Sequence, residues 1–254
     1  MFARTTIRHL EEIAGFLGPD QVTFHSQDDK AKVPIGLTAA NKQAPLLMHL
    51  EYKVQLPDHD YVIAKQHKLV PSVIGDMQIK GKTFAPEAVI YSGPTYIAVR
   101  SAKHLGSSAY NHLVDMKRVR VLPEFEKSFK NSIGEDKSVF IVTVDGGPDE
   151  NPCYAKTIAC AIDYFKTYDL DALFLATNAP GRSAFNRVER RMAPCSNALA
   201  GVILDHEHFG THLDDQGKTI DAELEIKNFD HAGKLKYFLF NLFDSQHIFL
   251  FFLQ

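Results

Sequence analysis

At 254 residues, with 45% apolar and 23% charged residues, the chain is long enough for one large folded domain and too apolar for wholesale disorder. A net charge of −3 excludes a global positive field, so a nucleic-acid partner would have to be met by locally grouped basic residues or by a basic module outside this chain. The three cysteines, Cys153, Cys160 and Cys195, lack C-x-x-C spacing, which excludes a zinc ribbon and a disulfide framework and leaves buried or incidental thiols of a reducing compartment.

In chain order, the first residues turn acidic at Glu11 and Glu12 before any long apolar run, which is not a secretory signal. Thr5–Leu17 carries Ile7, Leu10, Ile13, Ala14 and Leu17 at helical spacing, and Gly18-Pro19-Asp20 stops it. Gln21–Ser26 is β-prone and ends near the pair Asp28-Asp29. Val33–Leu37 and Leu46–Val54 read as further strands, the first weakened by Pro34. The second has His49, Glu51 and Lys53 alternating with Leu50, Tyr52 and Val54. Pro57–His67 reads as a loop. Val70–Ile79 and Val89–Val99 are strand candidates joined by the turn-rich stretch from Gly75 to Pro86. Ala102–Phe129 reads as helix and loop.

Val139–Val144 is the clearest strand, since all six residues are β-branched or aromatic. It runs directly into Asp145-Gly146-Gly147-Pro148. A helical segment follows over Tyr154–Tyr168, then a buried strand over Asp171–Thr177. Arg182–Leu204 is a long helical pattern that Pro194 should break or kink. Strands first, then strand–helix–strand–helix, predict an α/β fold with a mixed sheet. The stretch Leu235–Gln254 holds six of the eighteen Phe. Its longest unbroken apolar run, Ile248–Leu253, falls far short of the ~20 residues that span a bilayer. No membrane association is expected, and localisation is expected to be intracellular, nuclear or cytoplasmic.

Three acids lie where elements of such a fold end or begin. Asp28, with Asp29 as its alternative, follows the first strand. Asp145 ends the strongest strand, and Glu189 lies in the helix after the next one. Sites of open α/β sheets form at such places. Three carboxylates gathered there make a hard-oxygen site for Mg²⁺ or Mn²⁺, suited to phosphodiester cleavage or transfer to a 3′-hydroxyl. Alternation along a strand turns only one of Asp28 and Asp29 toward the site.

Val144-Asp145-Gly146-Gly147-Pro148-Asp149-Glu150-Asn151 resembles the second-acid motif of DDE transposases, in which Asp-Gly-Gly follows a buried strand. Asn178-Ala179-Pro180-Gly181-Arg182-Ser183-Ala184-Phe185-Asn186-Arg187-Val188-Glu189-Arg190-Arg191-Met192 resembles their third motif, with a Pro-Gly loop, an aromatic-Asn pair, the Glu and then basic residues. The first acid falls in Ser26-Gln27-Asp28-Asp29-Lys30-Ala31-Lys32, where the position relative to Lys30 and Lys32 favours Asp28. The resemblance extends over roughly Val22–Ala232, and transposon-encoded proteins of eukaryotes carry similar phrases. It implies an RNase H-like mixed sheet flanked by helices, an Asp28–Asp145–Glu189 triad holding Mg²⁺ or Mn²⁺, and DNA cleavage and strand transfer. Transposon ends are the implied partner, and a homo-oligomer is a further expectation.

On this division, residues 1–20 form an N-terminal helix, a remnant of a DNA-binding region. Residues 21–234 form the transposase-like core, and 235–254 an apolar tail of truncated or foreign origin. The chain is expected to be a fragment. Gly146 and Gly147 permit a sharp turn without a Cβ in the metal pocket. Asp149 and Asn151 are read as caps of the following helix. Lys30, Lys32, Asn186, Arg187, Arg190 and Arg191 are the candidate DNA contacts, with solvated helix charge as the competing account of the basic ones.

Two rivals remain. Asp205–Asp215 packs His206, His208 and His212 into one short stretch, which could hold Zn²⁺ or Fe²⁺ for a hydrolase or oxygenase, or be a polar surface loop. A domesticated transposase relic that binds DNA or protein without cutting is the other.

Overall fold

The computed structural model describes residues 2–29, 32–37, 64, 66–179, 186–199, 201–243 and 248–253. The chain opens with α1 (Phe2–Leu17), β1 (Val22–Asp29) and the short β2 (Val33–Pro34), followed by β3 (Lys68–Asp76). A small hairpin of β4 (Gln78–Ile79) and β5 (Val89–Ile90) precedes β6 (Thr95–Ser101), α2 (Ala109–Arg120) and the single turn α3 (Glu126–Phe129). Then come β7 (Val139–Val144), α4 (Ala155–Thr167), β8 (Ala172–Thr177), α5 (Glu189–Leu199), α6 (Ala222–Phe243) and β9 (Ile248–Leu253).

The main sheet has seven strands, ordered β8-β7-β1-β3-β6-β9, with β2 on β3. β3 runs antiparallel to both of its neighbours, β1 and β6, whereas β7 runs parallel to β1 and β8 parallel to β7. Helices cover both faces. This is the α/β, RNase H-like mixed sheet flanked by helices that the sequence predicts. The all-apolar run of β7 is explained by its place between two parallel neighbours, buried at every residue.

Alternation sorts the strand residues between two faces. Phe140, Val142 and Val144 join Ile74, Tyr96 and Ala98 under α2 and α4, around Leu113, Met116 and Tyr164. Val139 and Ile141 turn the other way with Val22 and Phe24, onto Leu10 and Ala14 of α1. Farther along that second face, Leu69, Val73, Ile97 and Val99 meet Val188, Met192, Leu199 and Phe229 of the α5–α6 layer.

Several sequence boundaries move. Of Val33–Leu37, Val33 and Pro34 form the β2 ladder on β3, and Ile35 N adds one further bond to the His67 carbonyl at 3.1 Å. The candidates Val70–Ile79 and Val89–Val99 resolve into β3, the β4–β5 hairpin and β6. The expected strand Leu46–Val54 lies outside the described residues. Of the expected helix over Arg182–Leu204, residues 182–185 and 200 lie outside the described residues, and α5 runs from Glu189 to Leu199 through Pro194. Buried Met192 and Leu199 anchor it on either side of the proline. α6 passes Leu235 without a break, and β9 pairs in parallel with β6 at the sheet edge remote from β7.

Candidate active site

β1 and β7 lie side by side in parallel, with Ser26 opposite Thr143 as their last registered pair. Two residues further, Asp28 and Asp145 are level with each other at the carboxyl ends of these strands. They also share parity with Phe24, Ser26, Ile141 and Thr143, so both turn toward the face that α5 covers. Glu189 is the first residue of α5.

The electrostatics of Asp28 report the outcome. Its carboxyl is 6% exposed and is pushed up to about 8, first by burial and then by repulsion from Glu150, Asp145 and Glu189. Asp28 thus feels the charges of Glu150, Asp145 and Glu189, while the acidic group with ligand atoms at metal-sharing distance among the described residues is Asp29, His112 and Asp149. Asp28, Asp145, Asp149 and Glu150 line a cleft of about 510 Å³, with Lys32 at its rim. Oxygen donors crowded around a carboxyl that cannot readily ionise beside them fit a hard divalent cation, which would relieve the repulsion.

Asp29 turns the opposite way. It accepts a hydrogen bond from Ser72, which in turn accepts one from Arg100, and Arg100 forms a buried ion pair with Asp115 of α2. Asp29 is thus tied into a polar chain beneath α2, yet it lines the same cleft and stands 4.0 Å from His112 Nε2, in a group with Asp149.

The loop ahead of α5 is latched onto β1. Ser26 Oγ donates to Asn186 Oδ1 at 2.6 Å, Asn186 Nδ2 donates to the Gln27 carbonyl at 2.8 Å, and Val188 N donates to Ser26 Oγ at 3.1 Å. Asn186, expected at the DNA, is 3% exposed and holds the start of α5 instead. Arg187 is likewise committed internally, its guanidinium pairing with Glu11 of α1 at 2.6 Å and standing over Tyr91. Arg191 donates to the Gly93 carbonyl at 2.8 Å. Arg190 also stands over Tyr91 but is exposed, as is Lys32. Lys30 lies outside the described residues.

The turn after β7 needs its glycines. Gly146 adopts φ +103, a conformation open to glycine and strained for other residues. Asn151 fastens the turn through Gly146 O at 3.2 Å and through its own N–H to Gly147 O at 2.8 Å. The capping role expected for Asp149 and Asn151 is overturned: Tyr154 is the N-cap of α4, with no side-chain cap bond. Asp149 pairs instead with His112 of α2 at 3.2 Å, and that hydrogen bond holds its carboxyl down at about 2.

Sequence reasoning missed His112 and Glu150. Burial favours the neutral ring of His112, yet the hydrogen bond to Asp149 and the charges of Asp29 and Glu150 outweigh it and raise its pKa. Glu150 is pushed up to about 7, chiefly by burial, although Gln27 Nε2 donates to it at 3.0 Å. Glu150 stood in view beside the Asp-Gly-Gly phrase. His112 carried no local signal, because it reaches the site across the sheet face.

The histidine stretch also divides differently from its spacing. His208 is exposed, pairs with Asp205 at 3.2 Å and stacks on His231. His206 and His212 are buried, and their companion is the distant His67. The trio expected from spacing, with His208 as a member, does not form.

No protein-family model and no curated protein matches this chain. Among solved structures, a chain of the Mos1 strand transfer complex is similar at 13% identity with a TM-score of 0.40, over 96% of this chain and 59% of that one. This chain thus spans less than two thirds of the length of that one. Among the described residues, no helix is long and apolar enough to cross a membrane.

Proposed function

We propose that this chain is a transposase-like catalytic core for divalent-metal-dependent DNA cleavage and strand transfer, with Asp28, Asp145 and Glu189 as its catalytic acids. What supports it is geometry: β1 and β7 run parallel with Asp28 and Asp145 at their carboxyl ends, both lining one cleft, with Glu189 opening α5. Bound Mg²⁺ or Mn²⁺ would supply activation of a water or a DNA 3′-hydroxyl and stabilisation of the leaving oxygen. The protein's own part is positioning. The Ser26–Asn186 latch sets Glu189 beside Asp28, and the Gly146 turn carries Asp145 clear of the strand. Gln27 fixes Glu150, while Lys32 and Arg190 are free to meet phosphate oxygens.

Supercoiled-plasmid nicking in Mn²⁺ tests this, comparing wild type with Asp145→Asn and Glu189→Gln. Metal-dependent nicking that falls at least about tenfold in both variants is expected, by analogy with the loss of other groups acting only in the transition state. Equal activity in all three would remove the triad. A second reading, a relic that binds DNA or protein without cutting, is favoured by the internal commitment of Asn186, Arg187 and Arg191 and by the net charge of −3. Metal binding at Asp145 without nicking would support it.

A further inference from the structure

We propose that His67, His206 and His212 form a structural Zn²⁺ site, separate from the carboxylate cleft, that fastens the loop before α6 to the sheet. Sequence places these residues far apart: His67 immediately precedes β3, while His206 and His212 lie between α5 and α6. In the fold, His67 Nδ1 stands 2.7 Å from His206 Nε2, and one nitrogen of each ring lies within 4.8 Å of the others. Nitrogens that share a Zn²⁺ at ~2.05 Å each stand roughly 3.3 Å apart, so small ring rotations close the set.

Burial makes these imidazoles good ligands and poor cations. They are 1%, 6% and 0% exposed, respectively. Desolvation lowers all three, holding His67 down at about 4 against the opposing charge of Glu225, and leaves neutral rings with lone pairs to donate. Two nitrogens are buried with no hydrogen-bond partner among the described residues, His206 Nδ1 and His212 Nε2. The carboxylate oxygens facing them stand at 3.8 Å and 3.9 Å. A buried polar atom left in this state is costly in a protein interior.

The surroundings resemble an outer ligand shell. Glu225, in the first turn of α6, lies 3.2 Å from His67 Nε2. It can accept that N–H while Nδ1 faces the ion, the arrangement by which carboxylates orient metal-binding histidines. Glu225 is held down at about 2, because hydrogen bonds from Lys103, Thr219 and His104 outweigh its burial. The Lys103 ammonium, 2.6 Å from Glu225 and 3.4 Å from His67 Nε2, is paired with that carboxylate. Asn228 donates to His212 Nδ1 at 2.9 Å, which leaves Nε2 for the ion. Ligation there puts the ring proton on Nδ1, so the Asn228 amide must turn to accept it. That change gives up the bonds Asn228 makes with the Gly210 carbonyl and the Phe209 N–H, a cost below the binding energy of a structural zinc.

The test uses the full chain purified without chelators, with metal content measured by mass spectrometry and melting followed before and after chelation. About one zinc per chain is expected in the wild type. It should be retained in His208→Ala, which lies outside the cluster, and in Asp145→Asn, which reports on the carboxylate cleft alone. His206→Gln and His212→Gln should lose it, and chelation should lower Tm reversibly. Should those two variants fail to fold, Co²⁺ substituted into the wild type decides, through the visible bands of a four-coordinate site made by the three imidazoles and one further ligand. Wild-type protein that takes up no zinc on titration, zinc retained in both histidine variants, zinc lost in Asp145→Asn, or Co²⁺ without those bands would each overturn the proposal.

Discussion

Asp28 is a carboxylate held where its charge is unwelcome, and that sets a pH dependence. Its folded pKa, about 8, lies above the ordinary value of 3.8. The folded state therefore holds a proton that the unfolded chain releases between these values. The resulting stabilisation is full below the ordinary value and is lost as pH rises through about 8. Asp28→Asn should therefore stabilise the metal-free protein relative to wild type, increasingly from pH 5 to 9, by roughly 2 kcal/mol or more at the upper end, since a tenfold change in proton affinity corresponds to about 1.4 kcal/mol. Urea unfolding in chelator measures this. Saturating Mn²⁺ should reverse the order by stabilising only the wild type. A variant no more stable at pH 9 than at pH 5, relative to wild type, would show that Asp28 does not meet its neighbours' charge. The latch is the second test at this scale. Asn186→Ala deletes buried bonds to Ser26 and Gln27, so a loss of about 1–3 kcal/mol is expected. Mn²⁺ affinity measured by calorimetry should fall with it, although Asn186 is no ligand.

Among the elements, β7 and the turn that follows it carry the site. Phe140 is 3% exposed on β7 and packs against Phe129, Tyr164 and the ring of His25. Phe140→Ala should cost about 3–5 kcal/mol in chemical denaturation, from lost transfer energy and the cavity left behind. Gly146→Ala probes the turn instead. At φ +103 an alanine is strained by about 1–3 kcal/mol, and a Cβ would stand 3.4 Å from that of Thr177. Metal affinity should drop more in this variant than in Phe140→Ala assayed where both remain folded, because the turn aims Asp145. Equal affinity in the two would separate turn geometry from the site.

For the whole molecule, the question is how a chain of net charge −3 would hold DNA. The acids of the cleft repel phosphate until cations neutralise them, and much of the expected basic set is engaged within the fold. Weak, salt-sensitive binding is expected. In fluorescence anisotropy, Lys32→Ala and Arg190→Ala should each reduce the slope of log affinity against log salt by about 1. Arg187→Ala should act on stability instead, through the lost pair with Glu11. A slope that responds to Arg187 alone would relocate the DNA path to the α1 side.

Local pattern determined much of this protein. The six-residue β7 run, the helix over Thr5–Leu17 and the acids at strand and helix ends were legible because burial on a sheet or helix face leaves a periodic trace in sequence. Alternation along β1 separates Asp28 from Asp29, and the structure sets Asp29 beside His112 and Asp149. Only tertiary structure decided that His112 and Glu150 belong beside these acids, and that Asn186 and Arg187 face inward. It alone brought His67 to His206 and His212 while sending His208 away. These are contacts between residues distant in sequence, made by strand order and helix docking, and a side chain's own neighbours along the chain carry no record of what the fold lays across it.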